Sequence, residues 1–150
     1  METEGTIRLE TVEKLTKDRD LVQRHIKFLT AARDKLKAKG EMSAENLATL
    51  YSIEDRLKDC KAYLAEICPA LEKAVFDLAH NLRQMSDKKL STLLFERYVV
   101  LRQIRDIAQE FGYPLSCVYE WHSKARDAYN AANGIPLYKD TRGRRKLYGD

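Results

Sequence analysis

Six glycines and three prolines among 150 residues are too few for an all-β chain, which spends those residues on frequent turns. The three cysteines, Cys60, Cys68 and Cys117, are odd in number and include no C-x-x-C pair. They suggest neither a disulfide framework nor a zinc site, and fit a reducing cytoplasm. His25, His80 and His122 stand far apart, without a cysteine or carboxylate at ligand spacing, so structural or surface roles are expected and no metal or cofactor. Cys117 and His122 lie on different faces of one expected helix, which argues against a nucleophile and base pair; no enzymatic activity is expected. No apolar run approaches membrane-spanning length, and the acidic, polar start through Glu10 lacks the basic and apolar regions of a signal peptide. Neither export nor membrane attachment is expected.

What is present is charge and helical rhythm. Charged residues make up 33% of the chain and hydrophobic ones 44%, a balance that supports long solvated helices around a modest core, and hence an all-α fold. The formal charge of +4 is unevenly placed. Residues 1–82 carry 14 basic and 15 acidic side chains, residues 83–130 carry 8 and 6, and residues 131–150 carry 5 and 2. The basic excess therefore lies C-terminally, where it suits a polyanionic partner.

Val12, Leu15, Val22, Ile26, Leu29 and Leu36 follow alternating three- and four-residue steps, with Arg19 and Arg33 where the rhythm calls for apolar groups. Those two arginines either select a partner or, more simply, extend their charged ends to water. The helix is expected to end near Lys39, because Gly40 can adopt the left-handed conformation and Lys35, Lys37 and Lys39 suit the negative end. Ser43 is the expected cap of a second helix. There Leu50, Ile53, Leu57, Cys60, Leu64, Ile67, Leu71, Ala74 and Leu78 form one unbroken seam. The pattern is expected to serve either an intermolecular coiled coil, with Leu50, Ile53, Leu57, Leu64, Ile67, Leu71 and Leu78 as an oligomer seam, or the core of a compact bundle. Pro69 falls within this stretch, so a kink or a restart is expected, and the continuing register favours the kink.

A new module is expected at Ser86 or Asp87, either of which can cap a helix bearing Leu90, Leu93, Leu94 and Tyr98. Residues 1–85 thus read as a helical hairpin or coiled-coil oligomerisation region, 86–132 as a helix-turn-helix and 133–150 as a flexible basic tail. Ala108, between Ile104 and Ile107, is small enough for a second helix to cross closely. Gly112 supplies the tolerance of positive φ that a tight turn needs. Val118, Trp121 and Ala125 then share an inward face, which makes Trp121 a core residue rather than a base-stacking one. Ser116, Tyr119, Glu120, Ser123 and Lys124 are left outward as candidate contacts to double-stranded DNA, with Tyr119 the better aromatic candidate. Arg97, Arg102 and Arg105 are placed to meet backbone phosphates. In the tail, Arg142, Arg144, Arg145 and Lys146 either attract phosphates or solubilise the terminus.

Phe95, Glu96, Arg97 and Tyr98, with Ile107 and Ala108, Phe111, Gly112 and Tyr113, and Val118, Tyr119, His122 and Ala125, resemble the sigma-factor region 4 fold. More narrowly, the chain resembles phage late-gene transcription regulators of the ArpU and RinA type, which similarly join a polar helical N-terminal half to a C-terminal helix-turn-helix. The resemblance implies a bacteriophage or prophage regulator that binds promoter DNA, with host RNA polymerase as an optional further partner; the expected setting is the cytoplasm of a bacterial host, and the coiled-coil reading of the seam adds a homo-oligomer. Pro114 stands where such proteins usually carry a capping serine, which moves the expected cap to Ser116 or puts proline in the first helical turn. Val99, Val100 and Leu101 replace a glycine-containing loop and leave one continuous helix open as an alternative. The outward face carries no arginine, the usual reader of guanine. Two other functions share these coarse features: a DNA-packaging subunit of the small terminase kind, and a protein-binding module that contacts polymerase without DNA.

Overall fold

The computed structural model describes residues 6–136, and every regular element among them is helical. A long hairpin of α1 (Leu9–Lys37) and α2 (Ala44–Arg83) is followed by α3 (Lys88–Leu94), a π-helical turn (Phe95–Val99), α4 (Ile104–Phe111) and α5 (Leu115–Ala132). The chain divides into two compact units, one of residues 13–72 and one formed by 6–12 together with 73–136. That division falls within α2 rather than at the 85/86 boundary expected from the sequence, since a single helix supplies one unit with its first part and the other with its last. No described helix is long and apolar enough to cross a membrane.

In the unit of residues 13–72, local chemistry sets the hairpin bend. Gly40 takes φ 81°, a left-handed conformation that an L side chain adopts only at a cost, and so turns the chain after α1. The Ser43 hydroxyl accepts from the amide of Asn46 at 3.1 Å and satisfies one of the unpaired donors that open α2. Leu29 of α1 and Leu50, Leu57, Ile67 and Leu71 of α2 are buried, while Ile53 and Leu64 are half-buried. The leucine and isoleucine seam offered above for oligomerisation is therefore largely consumed within one chain, because α1 folds back and covers it; the bundle-core alternative describes this packing. Arg19 and Arg33 hold the neighbouring carboxylates of Asp20 and Asp34 at 3.1 and 3.2 Å, the arrangement of long side chains that bury their stems and keep their charges wet. At Pro69 α2 runs on without a restart. Proline and Ala65, whose carbonyl loses its usual donor, are both exposed, so water can satisfy that oxygen.

The second unit begins with the last turns of α2, where Ala74, Leu78 and Leu82 are buried. Asp87 is the cap of α3: its carboxylate accepts from the amides of Lys89 and Leu90 at 3.0 and 3.1 Å. The Ser91 hydroxyl donates to the Leu82 carbonyl at 2.7 Å and ties α3 to the end of α2. Helical continuity through Val99–Leu101 does not occur. The backbone bonds Val100 N to Phe95 O and Arg102 N to Glu96 O close the π turn, Leu101 takes φ 71°, and Gln103 is extended before α4 starts. The start of the chain packs in this unit as well. Leu9 and Val12 are fully buried, the Tyr129 hydroxyl donates to the Ile7 carbonyl, and Arg126 pairs with Glu10 at 3.3 Å.

Candidate nucleic-acid interface

Three helices meet around one small apolar cluster. Leu93 of α3, Ile104, Ile107 and Ala108 of α4 and Val118 of α5 are buried together, and Trp121 packs against them half-exposed. Ala108 has no side chain beyond Cβ, so α4 and α5 approach without displacing a larger group. Gly112 follows at φ 76° and ψ 29°, and its amide and that of Tyr113 both reach the Ala108 carbonyl, at 3.0 and 3.1 Å. This closes α4 and reverses the chain. The expectation that proline would enter the first turn of α5 or pass the cap to Ser116 is corrected: Pro114 itself holds the cap position at φ −57° and ψ 143°. Ser116 lies inside the first helical turn. The fixed proline φ pre-sets the chain for α5, and its carbonyl accepts the amides of Cys117 and Val118 at 3.1 and 3.2 Å.

With Val118 and Ala125 fully buried, α5 turns Ser116, Tyr119, Glu120 and Lys124 to solvent and leaves Ser123 half-exposed. Glu120 and Lys124 sit 3.8 Å apart, one turn from each other, so the face offers paired rather than single-sign charge. Leu115 and Tyr119 add exposed apolar surface to it.

The three candidate phosphate-binding arginines have different surroundings. Arg105 is exposed at the start of α4, where its guanidinium donates to a neutral group, Gln103 Oε1, at 3.3 Å. Arg102 is held between two carboxylates, Glu96 at 2.7 Å and Glu110 at 2.6 Å, which raise its pKa by accepting its hydrogen bonds and compensate its charge. It is a brace for the segment between the π turn and α4 rather than an open phosphate contact. Arg97 is half-buried, with its guanidinium 5.4 Å from the centre of the Tyr98 ring. Arg142, Arg144, Arg145 and Lys146 lie outside the described residues.

Two features beside this surface have no counterpart in the sequence pattern. Lys89 on α3 places its ammonium 3.5 Å from the centre of the Trp121 ring and 5.3 Å from that of Tyr113, which itself meets Trp121 edge-on at 4.5 Å. The cation over two aromatic rings fixes a positive charge beside the turn. Behind it, His122 is buried, and its Nε2 lies 3.1 Å from the Tyr98 hydroxyl. Burial, then the nearby Arg126 and Arg97 charges, push the His122 pKa down to about 4, so its ring is neutral near pH 7 and acts as core.

Among the described residues no group of three or more histidine, cysteine or carboxylate side chains is gathered as a metal site, and the three cysteines are unpaired thiols. The open face of α5 is polar, with Lys89 and Arg105 on the neighbouring helices α3 and α4. Compared with protein-family models, with curated proteins and with solved structures, the chain finds no match in any of the three.

Proposed function

We propose that the chain is a double-stranded DNA-binding regulator of phage or prophage transcription, docking α5 in the major groove. One observation carries this reading. Ala108, Gly112 and Val118 form a tight two-helix corner, with the small residue and the valine buried and the glycine left-handed, while the opposite side of α5 stays open. In this reading Tyr119, Ser116 and Ser123 meet base edges, and Lys124 and Arg105 meet phosphates. Self-association presents two such helices to repeated half-sites.

The test is fluorescence anisotropy on duplex fragments of the neighbouring promoter region across a salt series. Binding should weaken linearly in log–log form, with a slope of about −0.9 for each phosphate neutralised. Absent binding at low salt, or binding indifferent to salt, defeats the reading.

A protein-binding role has its own support in Leu115 and Tyr119, exposed on the same face where arginine is missing. Capture of host RNA polymerase by a chain that binds no duplex at any salt concentration is the result that favours it.

A further inference from the structure

Two helices seal only one line of contact. In the unit of residues 13–72, Leu15, Val22, Ile26 and Leu36 of α1 and Ile53 and Leu64 of α2 remain half-exposed although all sit on the seam. To one side of the seam opens a groove of about 730 Å³ between the helices, lined by Leu21, Val22, His25, Cys60 and Tyr63 and edged by charges of both signs. Leu21 and Phe28, two turns apart on α1, are 61% and 68% exposed, and Tyr63 is 46% exposed. Water faces a stripe that a bundle of four helices would bury.

We propose that this face is where a second copy of the chain docks, two hairpins closing into a four-helix bundle. Three observations select that occupant. The first is charge: residues 13–72 carry 12 basic and 11 acidic side chains, so the unit has no strong field to recruit an acidic or a basic ligand. The second is area. Stretches 13–37 and 44–72 are helical. At about 1.5 Å per residue and about 10 Å per helix width, they offer a face on the order of 800 Å², which is about what each partner of a stable pair contributes. The third is position: the groove residues 21–25 and 56–63 lie near the middle of both stretches, so a two-fold axis through that point sets groove upon groove. The same patch then serves both copies, with Arg56 and Asp59 on its edge able to exchange partners across the axis. This gives a surface to the self-association that the functional reading calls for, and it is measured without DNA, so either can fail alone.

The experiment is the mass of the full chain by sedimentation equilibrium without DNA. The unmodified chain should weigh twice 17.4 kDa at tens of micromolar. The double variant Leu21→Asp with Phe28→Asp should fall to 17.4 kDa with its helical circular dichroism intact, because both side chains lie outside the hairpin core. Tyr51→Asp, equally exposed but half a helical circumference from Cys60, should leave the dimer whole. A second measurement does not depend on the variants folding: alkylation of Cys60, followed by peptide mass, should accelerate severalfold when the unmodified chain is diluted below its dissociation constant. A monomer, a ring of many copies, a double variant that stays dimeric, or a Cys60 rate independent of dilution would each overturn the proposal.

Discussion

The Tyr98 hydroxyl and His122 Nε2 lie 3.1 Å apart, with the two rings nearly stacked at 5.8 Å and 22°, and this pair joins the π turn to the middle of α5. In the tautomer protonated at Nδ1, Nε2 accepts a hydrogen bond from the tyrosine hydroxyl. Charging the ring removes that acceptor and sets a cation in the core beside Arg97 and Arg126.

Stability should therefore fall with acid. The His122 pKa is about 4 in the folded chain against an ordinary 6.5, so between those values the unfolded chain binds more protons. The contribution is complete above pH 6.5, is lost as pH falls toward 4, and amounts to about 3 kcal/mol at most. Thermal melting from pH 7 to 4.5 should show a falling midpoint, and His122→Gln, which keeps an acceptor but does not titrate, should flatten that fall. An equal slope in both proteins would assign the effect to other groups.

At the turn, the cost of replacing glycine should be purely conformational. A Cβ added to Gly112 meets nothing within 4 Å, yet φ there is 76°. Gly112→Ala should lose about 1 kcal/mol in urea unfolding and Gly112→Asn less, since asparagine visits this region more readily. Ala108→Leu should lose about 1–3 kcal/mol for the opposite reason, because the added carbons have no space between α4 and α5.

These two residues also mark what the sequence could convey. Gly40, Ser43, Asp87, Ala108, Gly112 and Val118 were legible because each answers a demand set within one or two turns of chain: a left-handed exit, an unpaired amide, a close crossing. The seam of α2 was legible as a face, but not its occupant, since periodicity shows that Leu57 is covered and not whether α1 or another subunit covers it. Val12 was legible as the first position of the α1 rhythm, but Leu9 gave no local signal, and nothing near either residue showed that both would be fully buried. Arg102 looked like a phosphate ligand because its two carboxylates, Glu96 and Glu110, lie six and eight residues away, outside the three- and four-residue spacing of a helical ion pair. Pro114 misled in a different way: its helix-starting φ was expected one position later in the helix than it stands.

Mutation of Arg105 and Arg102 in turn should separate binding from bracing. Arg105→Ala should lower the slope of log affinity against log salt by about 1, as loss of one phosphate contact does. Arg102→Ala should leave that slope unchanged while reducing thermal stability, because its charge already answers Glu96 and Glu110. If both variants change the slope alike, Arg102 leaves its carboxylates on binding.

Tyr129 is fully buried, donates to the Ile7 carbonyl and accepts from the Asn81 amide at 3.3 Å, so one hydroxyl links α5, the end of α2 and the segment before α1. Burial raises its pKa and keeps the donor protonated. Tyr129→Phe preserves the ring but leaves a carbonyl and an amide without their partner, which should cost about 1–3 kcal/mol in urea unfolding. In an Asn81→Ala background the same substitution should cost less, because one of the two stranded groups is already gone. Strict additivity would mean that the two contacts act independently, and that residues 6–12 are held chiefly by Leu9 and Val12.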